Sequence, residues 1–260
     1  MTSRMAPEPL FAVDDHFIKE DSGVEAVRGM ILMAPPADEP HATLHFSLAY
    51  VLGAHVGADW VGAVDMLTRT SRDSDFAPDA SVFPAARDAR TGGRQLEELA
   101  FEIAATQPLD AAGEKARELV RRGVRRVFCI VVKHRRLLEW SRETDTWSPM
   151  PDAASIEDRC FVRPLPARAL VDAAAGDEAV ARALVTRGHP VLRELEARGE
   201  ARGEVLGLVR GLVALLSTRG LIPTEDERAL MLAADAATLE RWIERAASAP
   251  SVAVAIAKPT

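Results

Sequence analysis

The chain has 260 residues, 48% of them hydrophobic, and 32 Lys and Arg against 39 Asp and Glu give a net charge of -7. The length exceeds the roughly 100–200 residues of one domain, so one main domain with an appended segment is expected, and the acidic balance argues against nucleic-acid binding by bulk charge alone. Apolar runs such as "FCIVV" and "LVALL" fall far short of the ~20 residues of a membrane span. Cys129 and Cys160 lack metal-ligand spacing, and no basic segment followed by an apolar run opens the chain. A reduced, cytoplasmic protein without a secretory leader or membrane contact is therefore expected.

Residues 1–20 read as an N-terminal arm. "GVEAVRGMILMAPP" then reads as a hairpin, with two β-prone runs around Arg28-Gly29 closed by Pro35 and Pro36. "HATLHFSLAYVLGAHV" places Leu44, Leu48, Val51 and Leu52 on one apolar helical face. "WVGAVDMLTRT" and "PDASVF" read as strands joined by the polar loop "SRDSD", and a charged, glycine-containing loop leads to the strand "LAFEIA". Asp110 is a candidate N-cap for the next helix, and Gly123 is its stop. "RVFCIVVK" has the continuous apolar character of a strand buried on both faces, and "RRLLEWSRE" returns as its hairpin partner. Helix, strands, helix and strands thus make one α/β unit over residues 21–173.

Residues 174–260 read as a helical extension rich in Ala, Arg and Glu. Gly199, Gly203, Gly207 and Gly211 recur every four residues, although glycine costs about 1 kcal/mol in a helix interior. Either another helix approaches closely there, or the segment is a frayed linker. "TEDERALML" opens with a capping box from Thr224 to Glu227, and Leu239, Trp242, Ile243 and Ala246 mark a last amphipathic helix. This half carries no evident chemistry and reads as an interaction module for a protein partner.

The chemistry is concentrated earlier. In "LAFEIA", alternation puts Phe101 and Ile103 on one face and Glu102 on the other. A carboxylate on an interior strand is costly unless paired or bound to a metal. Lys115 lies at the edge of the packed face of the next helix, where it can converge with Glu102, and Asp79 opens the neighbouring strand. Two carboxylates beside a lysine suit a hard cation such as Mg²⁺ with phosphate oxygens. A structural Glu102–Lys115 ion pair would produce the same spacing.

Several weaker signals have bland readings. His41 and His45 stand four apart, but "HATLH" lacks the glutamate of a zinc protease. His41 is either a phosphate contact or a plain helix-start residue. "TGGRQ" lacks both the spacing and the lysine of a phosphate loop. Arg121, Arg122, Arg125 and Arg126, followed by Lys133, His134, Arg135 and Arg136, make either a phosphate-binding face or a solvated surface. Trp140 and Trp147 either stack on bases or cap the sheet edge, the second being expected.

The order "EAVRGMILMAPP", a helix opened by His41, "PDASV", "FEI", "DAAGEKARELVRRGV", "RVFCIV" and "RLLEW" resembles the Uma2-type (DUF820) family of the PD-(D/E)XK nuclease superfamily over roughly residues 20 to 170. The resemblance implies a restriction-endonuclease-like α/β fold, a mixed sheet flanked by helices, here with a helical C-terminal extension. It implies that Asp79 and Glu102 hold Mg²⁺ or Mn²⁺, that Lys115 is the motif lysine moved onto the following helix, and that DNA phosphodiester bonds are hydrolysed, with a homodimer as the assembly. Asp110 matches the acidic residue before that lysine and Gly123 the glycine ending the helix. His41, Arg121, Arg122 and Arg125 would then meet nucleic acid. Departures are the "AATQP" segment after Glu102, where the family carries Ser-Pro-Ser, and Leu119, where it carries a tyrosine. The competing reading is a catalytically silent protein that keeps the fold and oligomerises or recruits a partner through its tail.

Overall fold

The structure is a computed structural model that describes residues 11–20, 22–34, 38–105 and 108–257. Pro35, Pro36 and the middle of the "AATQP" segment lie outside the described residues, as does the first half of the N-terminal arm. The chain divides into two compact units, Met1–Arg187 and Gly188–Thr260.

The first unit opens with the hairpin β1 (Val24–Val27) and β2 (Met30–Met33). Its two turn residues, Arg28 and Gly29, have φ of 51° and 79°, the left-handed pair whose twist matches a two-residue hairpin. Helix α1 (Glu39–His55) begins where the Asp38 carboxylate accepts the His41 N–H, and it buries Leu48, Val51 and Leu52. The run after it is not one strand. It breaks at Asp65, φ 48°, into β3 (Trp60–Val64) and the two-residue β4 (Thr68–Arg69), which pairs instead with β5 (Asp75–Phe76). Then come β6 (Ala80–Pro84) and β7 (Leu99–Ala104).

Helix α2 (Leu109–Arg122) starts two residues earlier than the Asp110 cap predicts. Pro108 occupies the N-cap without a side-chain bond, leaving Asp110 in the first turn, where its charge opposes the positive end of the helix dipole. Gly123, φ 124°, ends the helix as expected. Strands β8 (Arg126–Val131), β9 (Arg136–Ser141) and β10 (Thr146–Pro149) follow. The short pair β11 (Ser155–Ile156) and β12 (Leu165–Pro166) precedes α3 (Ala173–Thr186). Gly176 lets α3 lie against α1, since a Cβ there would sit 3.2 Å from the Ala169 carbonyl oxygen and 3.4 Å from Val51 Cγ2.

The main sheet is mixed, in the order β10-β9-β8-β7-β6-β3, with β7 and β8 parallel and the other pairs antiparallel. All six residues of β7 are buried, as a central parallel strand requires. Phe101 and Ile103 join Leu48, Val51 and Leu52 of α1 in one core, whereas Ala100 packs with Ala116 and Leu119 of α2 in another. Glu102 therefore alternates onto the α2 face. A second sheet, β2-β1-β5-β4, brings β1 against α2.

The second unit is helical: α4 (Pro190–Thr218), α5 (Glu225–Leu232), α6 (Ala236–Ala246) and α7 (Val252–Ala255). Leu212, Leu216, Met231, Leu239, Trp242 and Ala246 form its core, and the Thr224–Glu227 capping box is present. The glycine repeat lies within one continuous helix. Nothing comes within 4 Å of a Cβ built at Gly199, Gly203, Gly207 or Gly211, so no described segment makes the close helix approach that the spacing suggested.

Candidate active site

Three adjacent strands bring three carboxylates into one row. Ala80 pairs with Phe101 and with Val64, so one step further along the antiparallel register Asp79 stands between Asp65 and Glu102. The bonds there agree: Asp65 N–H donates to the Asp79 carbonyl at 3.3 Å, and Ile103 N–H donates to Asp79 Oδ2 at 2.5 Å. Asp79 is thereby fixed at the mouth of β6 by the strands on either side.

Helix α1 lays its first turns over this row. His41 Nε2 is 3.0 Å from Asp79 Oδ1, and that hydrogen bond raises the imidazole above its ordinary range against the opposing effect of burial. His45 Nε2 meets the Asp79 carbonyl oxygen at 2.5 Å and lies 3.7 Å from Asp65 Oδ1. Burial lifts the Asp65 carboxyl, an effect opposed by His45 and reinforced by Asp79.

On the other side, Glu102 is 5% exposed and its Oε1 has no hydrogen-bond partner among the described residues. Burial drives its pKa well above the ordinary carboxylate range; Lys115 opposes the rise, while Asp79, Glu25 and Asp65 add to it. The ion pair that Lys115 makes is with Glu25 of β1, Nζ to Oε2 at 2.8 Å, and its ammonium also donates to the Ala77 carbonyl at 3.3 Å. Burial alone would lower Lys115, but the carboxylates of Glu102 and Glu25 outweigh it and hold the amine protonated. Glu25 in turn accepts the Ala77 N–H at 2.9 Å, tying β1 to the loop that carries Asp79. Cys129, opposite Glu102 on β8, is buried, and its thiol is pushed up to about 12 by that burial and then by Glu102.

Asp79, Glu102, Lys115 and His41 thus come together, while Arg121, Arg122 and Arg125, expected to meet nucleic acid, each contact groups of the chain itself. Arg125 is bound by Glu98 at 2.7 Å and by Asp158 at 2.7 and 2.8 Å. Arg121 pairs with Glu118, and Arg122 donates to the Phe11 carbonyl. Glu98 precedes β7, four residues from Glu102, which is about 13 Å along a strand. Trp140 and Trp147 meet edge to face with centroids 5.0 Å apart, and a Cβ at Gly113 would lie 3.4 Å from the Trp140 ring. They pack beneath α2.

Three participants escaped the sequence reading: Glu25, Asp65 and the role of His45. Glu25 carried a usable signal, a carboxylate inside the apolar run "VEAV", as with Glu102. Asp65 carried none, because it becomes a neighbour of Asp79 only through strand pairing.

Three carboxylates, Glu25, Asp79 and Glu102, act on one ammonium, with Asp65 bonded through its backbone to Asp79 and one Glu102 oxygen buried and unpartnered. This excess of hard oxygen donors fits a divalent cation. The mixed sheet flanked by helices is that of a restriction-endonuclease-like fold. The sequence model of the Uma2 family, described as "Putative restriction endonuclease", matches residues 11–161, and the chain belongs to that family. Among solved structures it is similar to "a putative nuclease belonging to DUF820 from Anabaena variabilis ATCC 29413", with 16% identity, a TM-score of 0.44, and coverage of 52% of this chain and 80% of that one. No curated protein matches the chain. No helix among the described residues is long and apolar enough to cross a membrane.

Proposed function

We propose that this chain is a divalent-cation-dependent endonuclease that hydrolyses DNA phosphodiester bonds, with Asp79 and Glu102 as the Mg²⁺ or Mn²⁺ ligands and Lys115 beside them. The observation that carries the reading is the unpartnered, buried Glu102 Oε1 next to Asp79 at the end of β6 and β7. A folded protein tolerates such an atom at a cost of about 1–3 kcal/mol, which a bound cation would remove.

When bound, the cation supplies positive charge against the phosphate and acidifies water. The remaining work falls to the side chains. Lys115 stays protonated, so it is no general base; it offsets charge on the phosphate and orients the attacking water. His41 is held by Asp79 at 3.0 Å and can donate to a phosphate oxygen. In the reaction the water oxygen bonds to phosphorus, its proton passes to solvent, and the opposite P–O bond breaks with its electron pair on the leaving oxygen. The arginines of the α2–β8 turn serve the fold in this reading. Two buried free cysteines, Cys129 and Cys160, fit a cytoplasmic setting.

The test is cleavage of supercoiled plasmid and single-stranded DNA with Mg²⁺ or Mn²⁺. Metal-dependent nicking that Asp79→Ala and Lys115→Ala both abolish, with circular dichroism unchanged, is the expected result. A second reading, a silent fold used for recruitment, is favoured by the engagement of Lys115 with Glu25. Cleavage that never exceeds that of the two variants would decide for it.

A further inference from the structure

We infer that the cation site of this chain extends beyond the two carboxylates to His45 and Asp65, making it a mixed nitrogen and oxygen site selective for Mn²⁺, Co²⁺ or Zn²⁺ over Mg²⁺. The inference rests on the cation-dependent reading above and specifies which ion serves.

His45, Asp65 and Asp79 each present one ligand atom, and the three atoms lie within 4.8 Å of one another. They come from three separate elements, α1, the residue after β3 and the residue before β6, and each is positioned by the backbone. His45 and Asp79 are partly buried, while Asp65 is exposed and keeps the cluster open to solvent. His45 Nε2 points into oxygens alone, the Asp79 carbonyl at 2.5 Å and the Asp65 carboxylate at 3.7 Å. An imidazole aimed into carboxylates also occurs as a plain hydrogen bond, so geometry by itself is insufficient. The second observation is Glu102, buried, with an orphan Oε1, standing next to Asp79 in the strand register, where the following Ile103 N–H donates to the Asp79 carboxylate. An unsatisfied buried anion beside Asp79 in the strand register and an imidazole on the Asp79 carbonyl both single out Asp79 as the point where a cation would sit.

Ligand chemistry then sets the ion. Mg²⁺ holds its water and prefers oxygen donors. Imidazole nitrogen favours the first-row transition ions and Zn²⁺, with affinity rising from Mn²⁺ through Co²⁺. One histidine among carboxylates therefore shifts the preference away from Mg²⁺ while still admitting Mn²⁺.

The experiment is Mn²⁺ binding to the purified full chain, followed by calorimetry and by pulsed EPR, in which a coordinated imidazole adds a ¹⁴N modulation. Mn²⁺ should bind with that modulation, Mg²⁺ should compete only in large excess, and Zn²⁺ should displace Mn²⁺. His45→Gln, which keeps a polar group for the Asp79 carbonyl, and His45→Ala should each remove the modulation and weaken Mn²⁺ binding roughly tenfold or more. His41→Ala should retain the modulation, and Asp65→Asn should weaken binding without removing it. Modulation that survives in both His45 variants, Mn²⁺ bound without it in the native chain, or no Mn²⁺ bound at all would overturn the assignment of His45. Imidazole-coordinated Mn²⁺ in a protein that cleaves no DNA would instead remove the nuclease reading and leave this site standing.

Discussion

Lys115 Nζ sits 2.8 Å from Glu25 Oε2, so the α2 lysine is held by a carboxylate from the second sheet while Glu102 keeps an oxygen unpartnered. The two acids differ in engagement: Glu25 fixes the ammonium, and Glu102, in the reading proposed above, is left to meet the cation. Because Glu25 also accepts the Ala77 N–H, it links the lysine to the loop leading into Asp79.

Replacing Glu25 tests that link. Glu25→Gln keeps an acceptor for Ala77 but leaves Lys115 without its contacting anion in a partly buried setting, so a loss of about 1–2 kcal/mol is expected. Urea unfolding monitored by circular dichroism measures it. Stability within a few tenths of a kcal/mol of the native chain would mean that Glu102 takes over the pairing.

Glu102→Gln should act in the opposite direction. The buried carboxylate has its pKa raised above its ordinary 4.5, so its charge destabilises the fold increasingly as pH rises above 4.5 and has no effect below it. In EDTA at pH 8 the glutamine variant should gain about 1 kcal/mol, the gain vanishing near pH 4, while cleavage is lost. A shift in the denaturant midpoint at constant slope reads it. A variant less stable than the native chain at pH 8 would show that the Glu102 charge is already compensated by Lys115.

How far the sequence reaches follows from which interactions are local. Glu102 stood out because alternation within "LAFEIA" makes a buried acid conspicuous, and Gly123 because a helix stop needs a left-handed residue. Leu48, Val51 and Leu52 were legible from helical spacing for the same reason. Asp65 and Glu25 become site residues only when β3 meets β6 and β1 meets the Ala77 loop, pairings that no spacing encodes. Strands β4 and β5 have two residues each, too few for any period. The arginine run does not reveal its partners within the chain: Glu98 and Asp158 lie 27 and 33 residues from Arg125.

The Arg125–Asp158 pair should govern acid stability. Burial would raise Asp158, but hydrogen bonds from Arg125 and from the Cys160 N–H hold it down at about 2. A depressed acid contributes stability that is full above its ordinary 3.8 and lost as pH falls through about 2. Asp158→Asn should therefore cost about 1–2 kcal/mol at pH 7, after allowance for the part-exposed arginine, and the cost should shrink below pH 3.8 and vanish only once the pH is below about 2. Thermal midpoints of both proteins across that range should converge at the acid end. Parallel curves would assign the loss to packing rather than to charge.

The glycine repeat of α4 gives the last expectation. A Cβ at Gly203 or Gly207 meets nothing within 4 Å, and neither residue has a positive φ. Alanine fits both positions, and each substitution should stabilise the helix by about 1 kcal/mol. The double variant should melt later by circular dichroism at unchanged mass in analytical ultracentrifugation. A lower mass together with lower stability would mean that a second helix seats against the glycines in solution, since added methyl groups would then separate the backbones that the repeat lets approach.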